Sequence, residues 1–173
     1  PGRVPRGRAP GVAGMSASQL ASMPPAEAVI PHRGAALLIE RVLRADGTRL
    51  VAALTVRPGT AFSDPDGTLP AWMAPEIMAQ AIAAYAGCKS LAERGSAAPL
   101  GLLLGVRHLR VALERFAPGD ELQVEVLCTS SDEEGRGVFD CELRTAAAVA
   151  ATATLTVFQP QDARTLQTLL EAG

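Results

Sequence analysis

The chain has 173 residues, a net charge of -2 and a hydrophobic fraction of 48%, which fits a single globular domain with its own core. Aromatic residues make up only 3% of the chain, so stacking platforms for nucleic-acid bases are absent, and the near-neutral charge offers no basic surface for phosphates. No apolar run approaches the roughly 20 residues that span a bilayer. These features exclude a nucleic-acid partner and a membrane span, and we expect a cytoplasmic protein.

Both ends of the chain are expected to lie outside the domain. Residues 1–14 are rich in Pro, Gly and Arg and precede Met15, so we predict a disordered or expression-derived extension there. The domain is predicted to span residues 15–160, and residues 161–173 to form a polar C-terminal tail. The three cysteines lack metal-ligand spacing, and we interpret them as small core residues rather than disulfide partners.

The first part of the domain predicts a short helix, a loop and a hairpin. Residues 18–29 favour the short helix. The loop of residues 30–34 is bounded by Pro and Gly and contains His32. Alternating apolar residues on either side of the turn signal Asp46-Gly47 then predict two strands, over residues 36–45 and 48–57.

Residues 70–95 form the one segment regular enough to predict a long helix. Prolines mark its start, and Gly95 ends it. Its residues are apolar on nearly every side, which indicates a helix enclosed by other structure. Glu76 and Gln80 break this pattern and, four residues apart, share one stripe of the helix. Because burial favours the protonated form of a carboxylate, Glu76 is a candidate general acid; complementing the positive end of the helix dipole explains it equally well.

Four strands follow the long helix, because the period-two alternation of apolar residues returns after Gly95. They are predicted over residues 100–113, 121–130, 138–144 and 150–158. Two strands, one helix and four strands joined by short turns indicate an α+β domain with the helix on one side of an antiparallel sheet. The sheet must curl to cover a helix that is apolar all round, and another subunit must cover the remainder.

Several stretches between Ile30 and Pro160 resemble the hotdog-fold 3-hydroxyacyl-acyl-carrier-protein dehydratases, in particular the divergent branch of aryl-polyene and related pigment pathways. The resemblance implies a hotdog fold, in which a curled antiparallel sheet wraps a long central helix and two subunits form the functional dimer. It rests on five matching stretches, at residues 31–33 (PHR), 37–42 (LLIERV), 69–70 (LP), 75–81 (PEIMAQA) and 116–122 (FAPGDEL).

The resemblance implies that Glu76 is catalytic and acts with a histidine across a dimer interface. In the family this histidine usually lies in a Gly-His-Phe-Pro loop shortly before the helix, but the corresponding residues 62–70 contain none. The only histidines are His32 and His108. In the pigment-pathway branch His32 is the natural candidate for the base; the alternative is that His32 only braces its loop through hydrogen bonds.

The implied reaction removes water from a 3-hydroxyacyl-carrier-protein thioester and yields the trans-2-enoyl thioester, without a cofactor or metal. His32 would take the proton alpha to the thioester, and a protonated Glu76 would donate to the departing hydroxyl group. Backbone N–H groups of Ala71 and Trp72 would polarise the thioester carbonyl, and Gln80 would orient Glu76. Small helix residues would leave room for an apolar acyl tunnel: Ala79, Ala81, Ala83 and Ala84.

The resemblance also implies two protein partners. One is an acidic acyl carrier protein, which would dock on arginines; a solvated strand face explains the candidates equally well, namely Arg33, Arg107, Arg110 and Arg115. The other is a second hotdog subunit, in a homodimer or a heterodimer. Two alternative functions remain open: an acyl thioesterase of the same fold, and a non-catalytic or half-site subunit of a heteromeric dehydratase.

Overall fold

The computed structural model of the chain describes residues 23–96 and 100–160. The predicted extension, the first part of the predicted short helix and the predicted C-terminal tail lie outside these ranges. The described part contains two α-helices and eight strands, in the order α1 (Ala26–Val29), β1 (Arg41–Ala45), β2 (Arg49–Thr55), β3 (Leu69–Pro70), α2 (Ala74–Arg94), β4 (Leu102–Val111), β5 (Arg115–Phe116), β6 (Glu121–Ser131), β7 (Arg136–Arg144) and β8 (Val149–Phe158).

Six of these strands form one antiparallel sheet in the order β1-β2-β6-β7-β8-β4. The strands β3 and β5 pair separately, two residues long. The alternation predicted for β6 is confirmed, because Leu122, Val124 and Val126 are buried. In this order β1 and β4 are the two edges of the sheet, and every other strand is paired on both sides.

The long helix α2 lies in the concave side of the sheet. A 3₁₀ turn (Ala71–Met73) precedes it, and Gly95 ends it in the left-handed conformation with φ of 68°. The helix contacts all six strands. Six strands about 4.8 Å apart would make a flat sheet about 24 Å wide, whereas a helix is about 10 Å across. The sheet must therefore be curled for every strand to contact the helix, as the sequence predicts.

The helix α2 is enclosed along only part of its surface. Ile77, Met78, Ala81 and Ala84 are buried, whereas another stripe of the helix borders a cavity that is also lined by Phe139 of β7 and Val157 of β8. The expectation of a helix enclosed all round is therefore met only in part within this single chain. No helix in the described ranges has the length and apolar character needed to cross a membrane.

The short helix α1 packs unusually close to α2. A Cβ atom on Gly87 of α2 would lie 1.9 Å from the carbonyl oxygen of Val29, the last residue of α1. Only glycine permits this approach. The contact fixes the point from which the chain enters the predicted histidine loop, residues 30–34.

The first strand departs most from its predicted bounds, and β4 is irregular. The first strand begins at Arg41 instead of residue 36, because the backbone N–H groups of Leu38 and Ile39 donate to the side chain of Gln80 rather than to another strand. The strand β4 shifts register against β8 twice, and His108, at the second shift, has φ of 53°. Apolar side chains along this edge are exposed, among them Leu104 at 54%.

Candidate active site

Glu76 and Gln80 lie one turn apart on α2 and are hydrogen-bonded, as the spacing predicts. Nε2 of Gln80 donates to Oε1 of Glu76 at 2.9 Å and to the carbonyl oxygen of Ala36 at 2.8 Å. Its Oε1 accepts from the N–H groups of Leu38 at 2.8 Å and Ile39 at 3.3 Å. The buried Gln80 amide thus has all four of its hydrogen bonds and fixes Glu76 against the segment of residues 36–39.

His32 approaches Glu76 from the loop that follows α1. Its Nε2 atom lies 3.6 Å from Oε1 of Glu76, and the two side chains are 31% and 33% exposed. This distance is slightly longer than a hydrogen bond, and such contacts often tighten only when substrate is bound. Nδ1 of His32 is buried without a hydrogen-bond partner in the described part of the chain. The structure therefore brings together the two predicted catalytic side chains, although they are far apart in sequence.

Glu76 is less enclosed than the sequence suggests. One-third of its side chain is exposed, because Glu76 lines the cavity and is not part of the packed core. Both close contacts, from Gln80 and from His32, fall on Oε1. Among the described residues, Oε2 is the oxygen that these contacts leave available to a ligand in the cavity.

Arg33 is directed at its own loop. Its Nη1 atom donates to the carbonyl oxygens of Ile30 at 2.6 Å and His32 at 2.7 Å. Gly34 then turns the chain with φ of 58°, a conformation that glycine adopts without steric cost. The sequence suggests Arg33 for carrier docking; in the structure its guanidinium closes the loop that carries His32.

A cavity of about 640 Å³ runs along α2 and has His32 and Glu76 in its lining. Its helical wall includes the small residues Ala79, Ala83 and Ala86 beside larger ones such as Ile82 and Tyr85. Of the alanines predicted for a tunnel, Ala81 and Ala84 are instead fully buried in the core. Because a helix rises 1.5 Å per residue, the lining extends about 27 Å along α2, from Glu76 to Arg94.

The two backbone N–H groups predicted to polarise a carbonyl have different surroundings. The N–H group of Ala71 already donates to the carbonyl oxygen of Glu114 at 2.9 Å, so it is engaged where β3 meets β5 and is not free for a ligand. The N–H group of Trp72 lies in the first turn of the 3₁₀ segment, where N–H groups lack partners within the helix. The indole of Trp72 is 68% exposed and is not a core residue.

The remaining predicted docking arginines occupy two places. Arg107 and Arg110 are exposed on β4 opposite Thr154 and Thr152. Both threonines alternate with buried residues of β8, which puts the two arginines on the outer face of the sheet. Arg115 is different, because its guanidinium already has acidic neighbours.

The acidic neighbours of Arg115 are Asp64, at 3.1 Å, and Asp66, at 3.6 Å. Hydrogen bonds from the side chain and backbone of Thr68 lower the pKa of Asp66, and the charge of Arg115 acts in the same direction. Arg115 thus pairs with the loop that precedes β3 and α2, and its charge is partly offset there.

The backbone of residues 36–39 belongs to the site, although the sequence does not indicate it. The spacing of Glu76 and Gln80 was visible, but the Gln80 partners Ala36, Leu38 and Ile39 lie in a stretch whose apolar residues predict a strand.

The cysteines are free thiols; Cys141 is buried, and burial raises its pKa to about 12. Within residues 23–96 and 100–160, no group of three His, Cys, Asp or Glu side chains could hold a metal ion.

Comparison with solved structures places this geometry among hotdog proteins. The dehydratase heterocomplex ApeI:P from Xenorhabdus doucetiae matches with 29% identity and a TM-score of 0.76, over 84% of this chain and 97% of that chain. Cj0977, a sigma28-regulated virulence protein from Campylobacter jejuni, matches with 13% identity and a TM-score of 0.54, over 85% of this chain and 94% of that chain. At this low identity the second likeness concerns the fold alone.

A hypothetical thioesterase from Streptococcus pneumoniae TIGR4, solved with coenzyme A, shares the fold at 14% identity and a TM-score of 0.51, over 70% of this chain and 90% of that chain. No curated protein matches the chain. The family model of ApeP-like proteins, described as ApeP dehydratase, matches residues 24–169. The predicted resemblance to hotdog dehydratases of the pigment-pathway type is thereby confirmed, and the chain belongs to the ApeP-like dehydratase family.

Proposed function

We propose that this protein dehydrates 3-hydroxyacyl thioesters bound to an acyl carrier protein, giving trans-2-enoyl thioesters in the biosynthesis of a polyene. The observation that carries the proposal is the His32–Glu76 pair, 3.6 Å apart in the lining of a long cavity. A base and an acid side by side are what the elimination of water requires. Membership of a dehydratase family supports this reaction over thioester hydrolysis.

In the proposed reaction the neutral imidazole of His32 removes a proton from C2 of the acyl chain. The electron pair of that C–H bond forms the C2–C3 double bond while the C3–O bond breaks. Glu76 gives its proton to the departing hydroxyl group, which leaves as water. After water has left, His32 carries the proton taken from C2, and Glu76 has lost its own. Transfer of this proton from Nε2 of His32 to Oε1 of Glu76, 3.6 Å apart, restores the starting state. These steps need only side-chain proton transfers.

The other predicted binding residues support these two. Gln80 holds Glu76 in place through its buried, fully bonded amide. We assign polarisation of the thioester carbonyl to the backbone N–H of Trp72, since that of Ala71 is engaged. Arg107 and Arg110 remain the proposed docking residues for the carrier protein, on the exposed outer face of β4.

The proposed functional unit is a dimer of hotdog subunits joined along β4. This edge strand exposes apolar side chains that a lone domain would bury, including Leu104 at 54% and Leu109 at 43%. The relative ApeI:P is a heterocomplex, which supports a second, different hotdog subunit as the partner. Closure of this edge would also cover the cavity, whose lining includes Leu102 and Leu103 of β4.

Replacing Leu104 by Asp is expected to prevent this assembly, because a carboxylate would be buried in an apolar contact. Analytical ultracentrifugation of the purified chain, alone and with a partner subunit, measures the effect as a shift from dimer to monomer. Arg41→Asp is the control, since it introduces the same carboxylate on the opposite edge, β1. Unchanged assembly of the Leu104 variant would show that the subunits meet elsewhere.

The function is tested by incubating the purified chain with a 3-hydroxyacyl-carrier-protein substrate and following the acyl group by mass spectrometry. We expect the loss of one water molecule while the thioester stays intact. Release of the free acid would instead identify a thioesterase. A folded chain that is inert both alone and with its partner subunit would overturn the proposal, and activity only with the partner would assign the chain to a heteromeric enzyme.

A further inference from the structure

We infer that Arg33 is a positioning residue that sets the place of the His32 imidazole, and that it does not dock the carrier protein. The inference rests on the proposed function, because it assigns Arg33 to the same site. Nη1 of Arg33 donates to the carbonyl oxygens of Ile30 and His32, at 2.6 Å and 2.7 Å. One cationic nitrogen therefore joins the backbone on both sides of Pro31.

The loop has few other restraints on the histidine. Ile30 is buried, at 2% exposure, and anchors the start of the loop, whereas Pro31 lacks an N–H group and so cannot donate to a neighbour. Backbone hydrogen bonds restrain the loop only at its two ends, from the N–H of Ile30 to Ala26 and from the N–H of Ala36 to Arg33. Hydrogen bonds from a charged guanidinium are roughly twice as strong as neutral ones. Within the described part of the chain, the Arg33 bridge is therefore the side-chain contact that limits rotation of the backbone on which His32 sits.

The bridge matters because the segment of residues 30–39 positions both members of the pair. Its first part carries His32 and is closed by Arg33. Its second part binds the Gln80 amide, which holds Glu76. Arg33 thus controls the His32 side of the 3.6 Å separation without touching Glu76 or the reacting atoms.

A docking role and a positioning role predict different kinetics. A docking arginine contributes charge at a distance from the reaction, so its loss raises KM for the carrier-bound substrate alone. A positioning arginine changes the geometry of proton transfer, so its loss lowers kcat for every substrate. The carrier-bound 3-hydroxyacyl thioester and the same acyl group on free pantetheine separate the two roles.

The experiment measures kcat and KM for both substrates in the parent, Arg33→Ala, Arg33→Lys and Arg144→Ala, in the oligomeric form that is active. We expect Arg33→Ala to lower kcat by about 10- to 100-fold on both substrates, since a misplacement of about 1 Å costs this much, with KM little changed. Arg33→Lys keeps the charge but not the guanidinium and is expected to recover only part of kcat. Circular dichroism verifies that the variants fold.

Arg144→Ala is the matched control. Arg144 pairs with Glu142 at the far end of β7, five residues beyond Phe139 in the cavity lining, or about 17 Å along the strand. A rise in KM confined to the carrier-bound substrate, with full recovery in Arg33→Lys, would overturn the inference in favour of docking. An inactive His32→Ala variant beside an Arg33→Ala variant with the parent kcat would overturn this inference and leave the proposed function intact. A His32→Ala variant that keeps the parent rate would overturn the proposed function itself.

Discussion

Replacing Glu76 by Gln is expected to lower kcat for dehydration by about 10²- to 10⁴-fold, the usual contribution of a general acid or base. Glutamine keeps the size of the side chain and can still accept the hydrogen bond from Gln80, so the fold and the cavity should be unchanged. What it loses is the proton that the departing hydroxyl group needs. His32→Ala should fall in the same range, and the double variant should be little worse than either single one, because the two groups act as a unit.

The rate of water loss, followed by mass spectrometry, checks this expectation. Glu125→Gln is the matched control, because Glu125 lies on β6, where it pairs with Arg49 at 2.9 Å. That variant should keep the parent rate. Losses that simply multiply in the double variant would contradict a shared role for His32 and Glu76, and a Glu76 variant with the parent rate would remove the carboxylate from the mechanism.

Replacing Gly87 by Ala is expected to destabilise the protein strongly, although it adds only one methyl group. The new Cβ would lie 1.9 Å from the carbonyl oxygen of Val29 and 2.7 Å from its carbonyl carbon, and backbone atoms cannot turn aside as a flexible side chain can. We expect a loss of about 3 kcal/mol in the free energy of unfolding, or roughly 10 °C in melting temperature for a domain of this size.

The same change should also reduce activity in whatever fraction remains folded. The chain passes directly from Val29 to the histidine loop, so a displaced α1 moves His32 away from Glu76. Thermal unfolding and kcat are measured side by side. Gly47→Ala is the control, since a Cβ there meets open space and should change neither quantity. A Gly87→Ala variant with the melting temperature of the parent would mean that α1 can move aside without a loss of stability.

The elements with strong local signals could be predicted from the sequence. The prolines at the start of the long helix and Gly95 at its end bound the helix, and the clean alternation along β6 located its buried face. The spacing of Glu76 and Gln80 indicated the candidate site, because two polar residues four apart on an otherwise apolar helix must find polar contacts on the same side of it. The pairing with His32 required the family resemblance, since nothing in the local sequence of residues 30–34 shows what the loop faces.

The parts that could not be predicted depend on contacts between distant residues. Residues 36–40 have the apolar character of a strand, yet Leu38 and Ile39 bond to the amide of Gln80, and no pattern in a single segment reveals such a partner. Arg33 resembled a free surface charge because its acceptors are backbone carbonyls, which are the same in every sequence. The exposure of the Trp72 side chain could not be predicted either, since sequence does not show on which side of a helix start the covering structure ends.

The position of His32 on the same chain as Glu76 has a genetic consequence. Where a base reaches across an interface, a subunit lacking the base and a subunit lacking the acid can together rebuild one intact site, so two defective alleles rescue each other. In the proposed mechanism both groups belong to one polypeptide, held 3.6 Å apart by its own backbone. Alleles altered at His32 and at Glu76 should then fail to complement, and a single unaltered copy should act independently of the defective ones.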